Sequence, residues 1–470
     1  MKKTGIGIKI ICACVLLLLV VYAGGCYYYG NHFQRGTLID QVDVSNLTVQ
    51  DLADRVDAYF LRIQERKSDG SSYEESIDGK AIDLSYASTE PLQQILREQN
   101  QYLWFIPQRE EHETEALLSY NKDKLTQAVQ ALKGFEEDFV QAPTNAHISE
   151  YTPEAGFSIV AETQGNELDQ AKTLEVIGNA VEELKGLVNL DAEGCYETPA
   201  VTSDSEELQN TLQKLQKYGT VTITYRFGDN IEVLDGSTIS TWLEVDGFAV
   251  TLDQTQVENY VATLRKKYDS IFRSRTFMTS YGKEITVDGG DYGWWMNYQQ
   301  EAKELAAQIE TGESGERTPV YYQTAASYGA PDYGDTYVEI NLTAQHLFFY
   351  KDGQLVMESD FVSGNSARGY DTPEGTYSIT YKQRNATLVG ENYETPVSYW
   401  MPFNKNIGMH DATWRASFGG IIYKTKGSHG CINMPYEKAQ ELYGYIEKGT
   451  PVICYHLAGT ERSTESELEK

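Results

Sequence analysis

Paired cysteines are missing from this chain. It has 470 residues and six cysteines, and no Cys-x-x-Cys pair occurs, so a zinc knuckle has no footing. Cys12 and Cys14 fall in an apolar stretch and Cys26 lies beside it. Cys195, Cys431 and Cys454 are far apart in sequence. That is not the pattern of a disulfide framework. Positive charge is scarce too. Lys and Arg number 39 against 69 Asp and Glu, a formal net charge of −30. With no basic patch, phosphate backbones are repelled, and nucleic acid is not expected as a partner. Neither a metal nor a cofactor is expected.

A charge-free apolar run occurs once, from Ile10 to Tyr29. Its length suits a hydrocarbon core, which takes about 20 apolar residues. Lys2, Lys3 and Lys9 precede it, so the positive-inside rule puts residues 1–9 in the cytoplasm and 10–29 across the membrane. Tyr27, Tyr28 and Tyr29 then fall at the outer interface, and the rest of the chain lies outside the cell. A cleaved signal peptide fits less well, because no small-x-small site follows. A lipoprotein signal at Ala23-Gly24-Gly25-Cys26 lacks the larger aliphatic residue expected where Ala23 stands.

Downstream, "SNLTVQDLADRVDAYFLRI" places Val49, Leu52, Val56, Tyr59 and Ile63 at steps of three and four. This predicts one amphipathic helix, opened by Thr48 with Asp51 as a capping-box variant. An internal repeat follows. "YNKDKLTQAVQAL" and "LDQTQVENYVATL" share a helical frame, with Leu125, Val129 and Leu132 matching Val257, Val261 and Leu264. Each precedes a β-like stretch and a second helix, "DQAKTLEVIGNAVEEL" or "QQEAKELAAQIE". Two α+β modules are expected, over 36–200 and 201–325. Neither holds a His/Cys/Asp cluster, and they serve as spacers or as binding modules.

After a turn-rich linker the pattern becomes β. Val338, Ile340 and Leu342 alternate, and "HLFFYKDGQLVMES" reads as a hairpin turning on Asp352-Gly353. "TPEGTYSITY" gives a further turn and strand. "PYEKAQELYGYIEKG" reads as a helix, with Pro435 in its first turn and Gly449 as its C-cap. A mostly β domain with one clear helix is expected over 335–457, followed by a polar, disordered tail at 458–470. Cys454, in "PVICYH", reads as an inert core thiol, and so does Cys195.

Two segments of the β domain carry chemistry. One is "IGMHDATW", with His410 and Asp411. The other is "GSHGCINM", with Ser428, His429, Gly430, Cys431 and Asn433. A cysteine nucleophile needs help to ionise near neutral pH, and a histidine can take the proton. His429, two residues from Cys431, shares its face if the segment is extended. His410 can approach across a sheet. On residue geometry alone either can be the base. Gly430 leaves the backbone uncrowded, so amides there can face a developing oxyanion. Ser428 and Asn433 read first as turn chemistry.

"SHGCIN" after His410 resembles the signature of the L,D-transpeptidases, the YkuD-type family. Between His410 and Ser428 lie 17 residues, at the long end of the family's spacing. "TPEGTY" resembles the family's Thr-Pro-x-Gly turn. The two modules resemble the peptidoglycan-binding-like repeats that precede this domain in Gram-positive relatives, as does "GTLIDQVDVSNLTVQDL". The resemblance implies a YkuD-like β-sandwich catalytic domain with a short helix, after the two α+β modules and one transmembrane helix. It implies that Cys431 attacks the third residue of a peptidoglycan tetrapeptide stem and expels D-alanine, leaving a thioester. A second stem then resolves the thioester, or water does so in an L,D-carboxypeptidase. It implies His410 as the base. Ser428, His429, Gly430 and Asn433 then line the pocket or oxyanion site, and Asp411 is a candidate for orienting His410. The expected partners are donor and acceptor stems and the cytoplasmic membrane.

Other classes compete. Ser119-x-x-Lys122 matches one motif of penicillin-binding transpeptidases, but the Lys-Thr-Gly partner at Lys3–Gly5 lies across the membrane. A zinc hydrolase could draw on His410, Asp411 and His429. A non-catalytic wall-binding protein is the remaining rival.

Overall fold

The structure is a computed structural model that describes residues 4–106, 109–114, 118–390 and 393–462. The chain divides into two units, Met1–Ser149 with Ile159–Gln209, and Glu150–Ser158 with Asn210–Lys470.

In the first unit, helix α1 (Thr4–Tyr28) contains Gly7–Tyr28, 22 residues apolar and long enough to cross a membrane by length and composition. Its side chains from Gly7 to Gly24 are exposed, and a helix apolar all round belongs in lipid or in a core. Lys2 and Lys3, on which the expected orientation rests, lie outside the described residues.

Helix α2 (Val49–Asp57) opens as expected. Thr48 Oγ1 accepts from the Asp51 amide, and the Asp51 carboxylate accepts from the Thr48 amide at 2.7 Å. The expected run to Ile63 is not helical, however. The helix ends at Ala58, and Phe60–Arg66 forms strand β1, with Leu61 and Ile63 buried. Tyr59 and Ile63 are four apart, a spacing common to period 2 and period 3.6, and the alternation across 60–66 decides for the strand.

β1 pairs antiparallel with β2 (Ser72–Asp78), and helices α3 (Lys122–Gln130) and α4 (Gln170–Glu182) follow. β3 (Leu187–Asn189) then returns parallel to β1, with Val188 opposite Ile63. Residues 206–317 repeat this order. α5 (Glu206–Gly219) leads into the hairpin β4 (Ile223–Phe227) and β5 (Asn230–Leu234). α6 (Gln254–Tyr268), α7 (Tyr298–Thr311) and β6 (Gly315–Arg317) follow, with Glu316 opposite Thr224 in a parallel pair. The repeat therefore includes a leading helix and hairpin as well as the two helices legible in the sequence. In the second copy Glu301 is fully buried, held by Arg317 at 2.6 Å and by the Tyr225 hydroxyl at 2.7 Å.

The rest of the second unit is a β-sandwich. One sheet contains β7 (Tyr337–Asn341), β8 (His346–Lys351), β9 (Gln354–Asp360), β10 (Gly375–Ser378) and β15 (Pro451–Tyr455), in the order β9-β8-β7-β15-β10. The other runs β11 (Gln383–Gly390), β12 (Tyr393–Asn404), β13 (Ile407–Asp411) and β14 (Ile432–Met434). Val338, Ile340 and Phe349 of the first sheet share one core with Met401, Met409 and Met434 of the second, closed by Ala439 and Leu442 of α8 (Tyr436–Tyr445). Asp352 and Gly353 both have positive φ, the two-residue hairpin turn that matches strand twist. Gly449 does not cap α8. The helix stops at Tyr445 with Ile446 as its C-cap, and Gly449 turns the chain into β15. Cys454 and Cys195 are buried. Of the expected tail, Arg462 reaches Asp360 at 3.0 Å, and 463–470 lie outside the described residues.

Backbone hydrogen bonds are among the contacts that join the second module to the sandwich. The Tyr292 amide donates to Thr376 O and the Thr376 amide to Gly289 O, at 3.0 and 3.1 Å. This covers the outer edge of β10. Gly290 is required there, because its φ is +81° and a Cβ would stand 2.0 Å from Thr376 O. Arg275 also grips Asp332, with Nε and Nη2 each at 2.7 Å from a carboxylate oxygen, and both residues are buried. Removing one member of such a pair costs about 3–5 kcal/mol, because the other charge stays buried. Arg275→Ala should lower the unfolding free energy of the second unit by that amount in urea titrations. A loss under about 1 kcal/mol would mean that Asp332 finds water or another partner.

Candidate active site

The parallel pairing of β13 and β14 sets His410 directly opposite Asn433. Side chains opposite each other in register share a face, so this pairing brings the two together. Asn433 Nδ2 lies 3.0 Å from His410 Nε2. His410 Nδ1 lies 2.8 Å from the backbone oxygen of Asp411. Asn433 Oδ1 accepts from Arg415 Nε at 2.8 Å, and Arg415 Nη1 donates to Lys426 O at 2.9 Å.

Both ends of this chain are one-way. A guanidinium only donates and a carbonyl only accepts. Asn433 must therefore turn its oxygen to Arg415 and its NH2 to His410. His410 must carry its proton on Nδ1 and present a lone pair at Nε2. Burial of the ring and the Arg415 charge push its pKa below the ordinary histidine value, against the Asp411 carbonyl and carboxylate, which raise it. The imidazole is held neutral.

Cys431 sits just before β14, half-buried, with Sγ 3.6 Å from Asn406 O. Burial pushes its pKa up to about 11, partly offset by the Gly408 amide. Both shifts favour the uncharged forms, a thiol and a neutral imidazole.

Residues 428–431 do not run extended. The Ser428 hydroxyl donates to Cys431 O at 2.6 Å and accepts from the Gly430 amide at 3.0 Å, a tight turn. Ser428 thus has the turn chemistry expected of it, whereas buried Asn433 does not. Gly430 has φ +120°, and a Cβ there would press on Ile407 at 3.1 Å. Its own amide donates to Ser428 Oγ. Its carbonyl accepts from the Thr372 hydroxyl at 2.7 Å, so the Thr-Pro-x-Gly turn supports the backbone next to Cys431. The turn also takes His429 off the shared face that an extended segment would have given it. His429 is exposed, with its ring 4.8 Å from that of Tyr370. The Asp411 carboxylate does not orient His410. It accepts from the amides of Ser398 and Tyr399, both at 2.8 Å, and only the Asp411 backbone meets the imidazole.

His410, Ser428, His429, Cys431 and Asn433 line one cleft of about 440 Å³, together with Leu388, Thr395, Trp414 and Arg415. Arg415 was not a sequence candidate. The available signal was an arginine between His410 and Ser428 in a strongly acidic chain. Among the described residues no group of three His, Cys, Asp or Glu side chains could hold a metal, so the zinc reading has no ligand set there.

Residues 335–454 match the family model of the L,D-transpeptidase catalytic domain. Residues 75–189 and 201–317 each match that of a "Putative peptidoglycan binding domain". No curated protein matches. Among solved structures, an Enterococcus faecium L,D-transpeptidase with its cysteine changed to serine is 36% identical over 53% of this chain and 100% of its own, with a TM-score of 0.44. The catalytic domain of an E. faecium L,D-transpeptidase, acylated by ertapenem, is 45% identical over 26% of this chain and 98% of its own, TM-score 0.25. An L,D-transpeptidase from Mycobacterium smegmatis is 20% identical over 30% of this chain and 61% of its own, TM-score 0.23. The sequence identity to the E. faecium protein, and not any superposition, carries the relationship.

The protonation states make a direct prediction. Alkylation of Cys431 by iodoacetamide, followed by peptide mass mapping, should be slow at pH 7 and still rising at pH 9, since the thiol ionises toward about 11. A rate that levels off below pH 7 would instead indicate a resting thiolate–imidazolium pair.

Proposed function

Because this chain belongs to the L,D-transpeptidase family, we propose that Cys431 is its acylated nucleophile and His410 the base that serves it. The supporting observation is that both line one cleft, with His410 fixed as the tautomer that carries its proton on Nδ1 and its lone pair on Nε2, where the Asn433 amide holds it.

The thiol attacks the carbonyl carbon of the third residue of a tetrapeptide stem. Its proton passes to His410 Nε2, the C–S bond forms, and the carbonyl electrons move onto oxygen. A protonated Nε2 becomes a donor, so the Asn433 amide must yield its place. Collapse of the intermediate breaks the peptide bond, and His410 returns the proton to the departing amine of D-alanine. The thioester is then attacked by the side-chain amine of a neighbouring stem's third residue, or of an amino acid bridged to it. The result is a third-to-third cross-link. Ser428 and His429 form the wall of the cleft beside the nucleophile, and the turn through Gly430 fixes the approach of Cys431. Water as acceptor would make the same site an L,D-carboxypeptidase.

The two modules, over 36–200 and 201–325, hold the catalytic domain of 335–457 away from the bilayer and contact the wall. α1 anchors the chain, with its N-terminus in the cytoplasm and the enzyme outside.

Incubated with a carbapenem, the native chain should gain the mass of one drug molecule on Cys431, and Cys431→Ala should gain none. An equal adduct on the variant would remove Cys431 from the reaction. Sacculi digested after treatment with the native chain should contain third-to-third cross-linked dimers, and shortened tripeptide stems alone would favour the carboxypeptidase.

A further inference from the structure

Arg415 has more hydrogen-bonding capacity than its protein partners use. Nε is given to Asn433 and one Nη1 proton to Lys426 O. No carboxylate forms an ion pair with it among the described residues, and the chain's acidic excess does not reach it. It is half-buried on the cleft wall. Burial alone pulls its pKa below the usual arginine value, and no neighbouring anion opposes that. The nearest acid in the network, Asp411, has turned its carboxylate to the Ser398 and Tyr399 amides. A partly desolvated guanidinium with free N–H groups, facing a cleft, is a receptor for a planar anion.

Its position identifies the anion. The departing amine must meet His410, which returns its proton. Arg415 is linked to His410 Nε2 through one side-chain amide, by contacts of 2.8 and 3.0 Å. In D-alanine the carboxylate is separated from the amine by a single carbon. A leaving group whose nitrogen lies at His410 therefore has its carboxylate within reach of Arg415, which lines the same cleft.

We infer that Arg415 anchors the C-terminal carboxylate of the donor stem, in addition to holding Asn433. This rests on the reading of Cys431 as acylated by a stem ending in D-alanine. It makes the enzyme selective for donors with a free C-terminal acid over those whose terminus is amidated or extended.

The test compares two donors that differ only at that end, a disaccharide tetrapeptide ending in D-alanine and the same compound ending in D-alaninamide. Release of D-alanine or D-alaninamide by the full chain in detergent gives kcat/KM for each. The native enzyme should prefer the acid by about tenfold or more, the scale of a charge-assisted hydrogen bond. Arg415→Gln should bring the ratio close to one, and Arg415→Lys should keep most of the preference. Equal use of both donors by the native enzyme overturns the inference without needing any variant. A ratio unchanged in Arg415→Gln, with both rates lowered together, also overturns it, because Arg415 would then act only on Asn433. If the native enzyme forms no thioester with either donor in intact-mass spectra, the nucleophile reading itself falls and this inference with it.

Discussion

The catalytic face depends on one directional chain of hydrogen bonds. It runs from Arg415 through Asn433 and His410 to the Asp411 carbonyl. Because its first member can only donate and its last can only accept, every group between has one permitted orientation. No carboxylate is needed to set the histidine tautomer, and none is used. Burial of the ring, aided by the positive charge at the head of the chain, lowers the pKa of the imidazole and favours its neutral form.

The fold makes this chain from strand register. His410 and Asn433 are opposite residues on adjacent parallel strands, and parallel neighbours need a long connection. The connection from Ala412 to Cys431 supplies Arg415, Trp414 and the Ser428 turn. The loop that joins the strands is thus also the cleft wall. Behind it, Thr372, in the loop that leads into β10 of the other sheet, holds Gly430.

Much of this was legible in the sequence, for identifiable reasons. His410 and Cys431 stood out because their spacing and neighbours are specific. The repeated helices were readable from apolar steps of three and four, and the Asp352-Gly353 hairpin from its turn residues. Other features were not. The end of α2 was misread because a four-residue spacing satisfies both helix and strand. The leading helix and hairpin of each module went unpaired, since paired strands keep a pattern of alternation without keeping residues. Asn433 looked like a turn residue because partners across a sheet are invisible to local reading. Arg415 was missed for the same reason. The Asp411 carboxylate seemed available to His410 until its two amide partners on β12 were seen.

The hydrogen bonds between Thr376 and the segment at Gly289–Tyr292 also bear on association. An uncovered sheet edge is a template on which further chains can add. Here the β10 edge is occupied by the protein's own upstream module. Among the described residues, the β9 side of that sheet is the edge left to accept a strand. Two copies joined there would use up both available edges, so association through this sheet ends at a closed pair and cannot propagate into a filament.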